Sequence, residues 1–141
     1  MKNIFISTLI VSAIFSKEIK AQTGVPDTLV YLKTIEANKT KYIGKPFSVL
    51  LADLQIQIKH FMPNTDIIHD IRKETSTSFG FYYPQNSDEM YLAYPRLRII
   101  WQTPLDITLS DNLRNIYRGS WNQLSILLYS NSIIADIKIR E

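Results

Sequence analysis

The chain has 141 residues, no cysteine, 45% hydrophobic residues, and sixteen Lys and Arg against thirteen Asp and Glu. That length suits one hydrophobic core, and the lack of cysteine excludes disulfides, thiol catalysis and cysteine metal sites. Lys2, Lys17, Lys20 and Glu18 all precede Gln22, so the remainder is close to neutral at net +1, which argues against nucleic acid as a partner because such binding takes a clustered basic surface.

Residues 1–21 are expected to be a cleavable signal peptide. Lys2 gives the positive start, and Ile4 to Phe15 is an uncharged, mostly apolar run of twelve residues. A membrane-spanning helix takes about 20 apolar residues, so this run fits a signal better than a span. Ala21 supplies the small residue at the cut. The charged residues between Phe15 and Ala21 leave an earlier cut after Ala13 or Ser16 open, and an uncleaved anchor or buried helix is the competing reading. The chain is thus expected in the periplasm or secreted, with residues 22–141 as a single globular domain without a transmembrane span.

After the leader, Asp27 reads as an N-cap ahead of Leu29, Leu32 and Ile35 at helical spacing, so a helix is predicted to about Asn38. Ile43-Gly44 breaks it. Pro46 suits the start of a second helix with Phe47, Leu50, Leu51 and Leu54 as its apolar stripe. The period then drops to two. Ile56, Ile58, His60 and Met62 share one face of a predicted strand ending at Pro63, with Gln55, Gln57 and Lys59 on the other. Asn64 to Thr77 reads as a polar connection carrying Ile67, Ile68 and Ile71. Phe79, Phe81 and Tyr83 alternate as a second strand, Pro84 to Pro95 is a loop, and Arg96 to Gln102 is a third strand with Leu97, Ile99 and Trp101 inward, ended by Pro104.

Thr108 or Ser110 is predicted to cap a helix carrying Leu113, Ile116 and Tyr117, stopped by Gly119. Ser120 and Gln123 match a capping box for a further helix bearing Leu124, Leu127 and Leu128. Ile133, Ala135, Ile137 and Ile139 alternate with Ile134, Asp136, Lys138 and Arg140 in a last strand. The sum is an α+β fold in the order α-α-β-β-β-α-α-β: two layers, a mainly antiparallel four-stranded sheet with helices on one face. Trp101 and Trp121 are both expected to be largely buried.

Lys20-Ala21-Gln22, the run Tyr42 to Leu51 (YIGKPFSVLL) and the ending Tyr129 to Ile137 (YSNSIIADI) resemble small exported proteins of unknown function from Bacteroidota. The resemblance implies a periplasmic or secreted location and no activity, and it carries over no site residues.

Four groups of residues invite a functional reading. His60, Asp66, His69, Asp70 and Glu74 have metal-ligand chemistry, but His60 and His69 are nine apart and no His-x₃-His or HExxH is present; no metal or cofactor is expected. Carboxylate pairs such as Asp88-Glu89 and Asp106/Asp111 suit solvated loops and helix starts, and there is no G-x-S-x-G. The loop residues Met90, Tyr91, Leu92 and Tyr94 form either a contact surface or a cap folded over the sheet's end. The polar sheet face, with Gln55, Gln57, Lys59, Tyr82, Arg96, Arg98, Gln102, Lys138 and Arg140, either holds an anionic ligand or is an ordinary solvated surface, Asp136 neutralising part of it. The expected function is a non-enzymatic exported protein binding another protein or a glycan in the cell envelope; the alternative is a small exported hydrolase with a carboxylate- or histidine-based site.

Overall fold

The computed structural model describes residues 27–83 and 94–141. The expected leader (1–21), the pair Asp88-Glu89, and Met90, Tyr91 and Leu92 lie outside the described residues. Among the described ones are four α-helices and a four-stranded antiparallel open sheet, an α+β fold.

Helix α1 (Thr28–Ala37) starts at Asp27, whose carboxylate accepts from the backbone N–H of Leu29 at 2.9 Å. Its buried residues are Leu32 and Ile35. After a 3₁₀ turn at Lys39–Lys41 and a left-handed Gly44, Pro46 leads into helix α2 (Phe47–Asp53), whose Phe47 and Leu50 are buried. Strands β1 (His60–Asn64), β2 (Lys73–Gly80) and β3 (Arg96–Asp106) form a meander. Helices α3 (Ile107–Tyr117) and α4 (Gln123–Tyr129) precede strand β4 (Ile134–Arg140), which pairs with β3. The core unites Leu32, Phe47, Leu50, Phe61, Phe79, Leu97, Ile99, Trp101, Tyr129, Ile134 and Ile137. At its centre Phe47 stacks on Phe79 at 4.9 Å and Trp101 on Tyr129 at 5.7 Å. Trp101 is buried as expected, whereas Trp121 is only partly buried and packs on the core from the segment between α3 and α4.

Several expected boundaries and faces change. The first strand begins at His60, four residues later than its pattern suggests, and Gln55, Gln57 and Lys59 therefore precede the sheet. Ile58 and Phe61 are buried three residues apart, so the alternation is broken and His60 and Met62 lie on the face away from the core. The second strand is Lys73–Gly80 and not Phe79–Tyr83. Its polar sequence reads as a connection, yet it is a central strand with Glu74, Ser76 and Thr77 buried. Pro104 does not end β3. Pairing with β2 jumps from Ser76↔Ile100 to Glu74↔Leu105, so Pro104 faces a stretch with no ladder bond to lose.

In β4 a register shift at Ala135 turns both Ile134 and Ile137 inward, where strict alternation puts them on opposite faces. Asp106 caps α3 and Asn122 caps α4, in place of Thr108 or Ser110 and of Ser120. Asparagine and aspartate are as good N-caps as serine, and each sits one residue before its helix. Helix α4 also buries Ser125 and Tyr129, leaving Leu124 and Leu127 exposed.

Candidate functional site

The face of the sheet away from the core carries one cation-rich corner. Because β3 alternates, burying Leu97 and Ile99 sends Arg96 and Arg98 to the other side. The antiparallel register then sets Arg140 directly opposite Arg96, and Lys138 directly opposite Arg98. On the β2 side the same two rows hold Gly80 and Ser78, and on β1 His60 and Met62. Small residues on β2 beside long arginines on β3 leave a depression. Thr65 and Asp66 border it at one end and Tyr94 at the other, giving a cavity of about 620 Å³ lined by Asn64, Ser78, Tyr94, Arg96, Arg98 and Arg140 among others.

Like charges set directly opposite across strands repel one another. Among the described residues, only one of the four cations here has an ion-pair partner: Arg98 Nη2 lies 2.5 Å from Asp66 Oδ2. Arg98 Nε also donates to Ser76 Oγ at 2.9 Å, which fixes the guanidinium plane. The Arg98 guanidinium holds the Asp66 carboxyl below the usual carboxylate range, helped by the Thr75 hydroxyl, which donates to Asp66 Oδ2 at 3.0 Å. Asp136 pairs with Lys39 at 2.7 Å, and that pairing first, with Lys138 adding to it, holds its carboxyl below the usual carboxylate range.

Of the residues expected to bind, Tyr94, Arg96 and Arg98 line this cavity together. The Tyr82 ring lies 4.6 Å from that of Tyr94 in a tilted stack, which sets an aromatic pair at the cavity's end. Gln102 is exposed on β3. Asn64, Ser78 and Asp66 belong to the cavity as well, and no pattern in the sequence marked the first two; the β1–β2 register that brings them here depends on the late start of β1.

The proposed metal-ligand residues separate. His60 lies across Gly80, where a Cβ would fall 2.0 Å from the imidazole, so only glycine leaves room for the ring. Its Nε2–H donates to the Tyr82 carbonyl at 3.1 Å, and burial holds its pKa below the usual histidine range. Asp66 is on Arg98, Asp70 pairs with Lys73, and His69 is exposed. Among the described residues no three His, Asp or Glu side chains converge as metal ligands.

Glu74 is elsewhere entirely. The Thr75 bulge turns it into the core, where it is fully buried. The hydroxyls of Thr77 and Ser110 donate to it, and Tyr129 OH does so at 2.9 Å. Trp101 Nε1 donates in turn to Thr77 Oγ1 at 2.9 Å. Burial pushes the Glu74 carboxyl above its usual range against the pull of these donors, and raises the Tyr129 phenol as well. One carboxylate thus ties β2 to α3 and α4.

No helix among the described residues is long and apolar enough to cross a membrane. No protein-family model, curated protein or solved structure matches the chain.

Proposed function

We propose that this chain is an exported, non-enzymatic binding protein of the cell envelope or its surroundings, and that it holds a partner's anionic group on the corner formed by Arg96, Arg98, Lys138 and Arg140. The observation that carries the reading is the register itself: two like-charged pairs face each other across β3 and β4 beside a cavity. Such an arrangement costs folding free energy unless an anion offsets it. Guanidinium groups pair with carboxylates in a planar, directional way. The Tyr82 and Tyr94 rings, stacked at 4.6 Å, stand beside them, and aromatic rings recur beside bound sugars, so an acidic glycan is the first ligand class to test and an acidic peptide the second. The reading also keeps the two-layer arrangement, with the helices on the core side leaving this face open. The apolar run Ile4–Phe15, Ala21 and the resemblance to small exported Bacteroidota proteins support the export route.

Two experiments test it. N-terminal sequencing of the protein from an envelope or culture-supernatant fraction should find a start at or near Gln22; recovery of Met1 from such a fraction counts against cleavage. Calorimetric titration of residues 22–141 with tri-galacturonate and with tetra-aspartate should show binding of the first, reduced at least tenfold by Arg96→Gln with Arg140→Gln, the change that corresponds to about 1.4 kcal/mol. Preference for the peptide would make the partner a protein, and binding that survives both substitutions would remove this site from the proposal.

Two of the groups a hydrolase could use are engaged within the fold: Glu74 is sealed in the core, and His60 Nε2 donates to the Tyr82 carbonyl.

A further inference from the structure

We propose that Asp66 is a built-in competitor for the anion site: its carboxylate occupies the place on Arg98 that a ligand carboxylate takes, and binding proceeds by displacing it. The inference rests on the binding reading above and adds the ligand class, a carboxylate, and the residue that sets its affinity.

Three features of the site point this way. First, Asp66 Oδ2 sits on Arg98 Nη2 at 2.5 Å, at the border of the cavity that Arg96 and Arg140 also line. A carboxylate is therefore already bound where the cations converge, and it shows which anion geometry the corner accepts. Second, the two partners differ in access. The Arg98 side chain is 11% exposed and the Asp66 side chain 58% exposed, so the cation is fixed in the sheet and the anion stands at the surface. An ion pair with one partner at the surface is open to exchange, and a ligand that engages Arg96 and Arg140 as well has more to offer. Third, the supports are separate. Ser76 Oγ holds Arg98 Nε, so Arg98 keeps its aim when Asp66 leaves. Asp66 is held by Thr75, which donates to Oδ2 at 3.0 Å and accepts from the Asp66 N–H at 3.1 Å. Residues 65–72, between β1 and β2, carry no strand or helix, so the segment bearing Asp66 can move without breaking the sheet ladder.

The apparent affinity of a ligand falls by the fraction of molecules that are open to it. If Asp66 covers Arg98 in nine molecules of ten, removing it tightens binding about tenfold. Removing any negative charge near an anion site also helps, so a control is needed. Asp136 stands on β4 outside that cavity and pairs with Lys39 and not with an arginine. Asp136→Asn removes one charge without freeing Arg98.

The test is titration of tri-galacturonate into the wild-type protein, Asp66→Asn, Thr75→Val and Asp136→Asn, each checked for folding by circular dichroism. The proposal expects Asp66→Asn to bind about tenfold tighter and Asp136→Asn to stay within about twofold. Thr75→Val, which frees Asp66 at constant charge, should fall between them. If the wild type binds but Asp66→Asn binds no better, or gains no more than Asp136→Asn, the competitor is refuted and the binding site stands. If no variant binds tri-galacturonate or tetra-aspartate, the binding reading falls and the competitor with it. Should Asp66→Asn fail to fold, Thr75→Val decides alone: tighter binding supports the competitor and unchanged binding overturns it.

Discussion

The two faces of the sheet treat charge in opposite ways. On the core face one carboxylate, Glu74, is fully buried, and hydroxyls from Thr77, Ser110 and Tyr129 converge on it from three elements. On the other face Arg96, Arg98, Lys138 and Arg140 stand in two like-charged rows, with Asp66 as the one ion-pair partner among the described residues. A polar group that the fold satisfies from within is part of the fold. Charges that the fold sets against one another are candidates for something the fold does not contain. The contrast separates groups that the fold satisfies from groups that it does not, without any recognisable motif.

The largest expected effect lies on the core face. Glu74→Ala removes the acceptor of three hydroxyls and leaves a cavity, and each buried polar group left unpaired costs about 1–3 kcal/mol. A loss of about 3–5 kcal/mol in a urea melt is expected, in the range kept for broken buried networks. Glu74→Gln keeps one acceptor oxygen, and the Ser110 hydroxyl can turn to accept from the new amide, so about 1–2 kcal/mol is expected. If Glu74→Ala costs no more than a surface change, the buried acid is not structural and the contrast between the faces collapses.

The pH profile should show the same opposition in smaller steps. The folded state pushes Glu74 above its ordinary value of 4.5, so the folded protein holds that proton more tightly than the unfolded chain does. Stability contributed by protonated Glu74 is full below 4.5 and falls as pH rises from there through the raised value. Asp66 and Asp136 behave oppositely. Their cation partners hold them below 3.8, so their contribution is present above that value and is lost as pH falls through their lowered values. His60, which burial holds below 6.5, contributes stability that is present above that value and lost as pH falls, so it opposes Glu74 and the Glu74 contribution is read from a difference. The advantage of the wild type over Glu74→Gln should shrink as pH rises above 4.5, with the acid limb the same in both. An advantage that grows as pH rises would contradict this assignment.

Much of this is written in the sequence, and the misses share a cause. Leu97, Ile99 and Trp101 alternate with Arg96 and Arg98, so β3 and the sides of its residues are legible from period alone. Asp27 announces α1 in the same way. What alternation hides is a strand whose inward residues are polar. Lys73 to Thr77 reads as part of a connection, because the partners that make Glu74 and Thr77 acceptable inside come from Ser110, Tyr129 and Trp101, far along the chain. Bulges are hidden too. The shifts at Thr75 and Ala135 put Glu74 with Thr77, and Ile134 with Ile137, on one face at spacing three. The proposed anion site is half legible. Arg96 and Arg98 follow from the alternation of β3 and Arg140 from that of β4, whereas Asn64 and Ser78 need a register that no single strand specifies.

The smallest expected effect, and the one that most sharpens the contrast, is on the stability of the charged face. Arg96 and Arg140 are directly opposite, and neither has an ion-pair partner among the described residues. Replacing one by glutamine removes a repulsion and keeps most of the side chain that covers the sheet. Cross-strand pairs are worth roughly 0.2–1 kcal/mol, and like charges oppose folding by amounts of this order. Arg96→Gln should therefore leave stability unchanged or raise it by up to about 1 kcal/mol at low salt, with the difference shrinking in 1 M salt, where screening acts over about 3 Å. The same substitution should weaken binding of tri-galacturonate. Residues kept for folding lose stability when removed, and those kept for a ligand lose the ligand instead. A clear loss of stability in Arg96→Gln, insensitive to salt, would mean that Arg96 is held by contacts within the fold, and the two faces would then differ in accessibility alone.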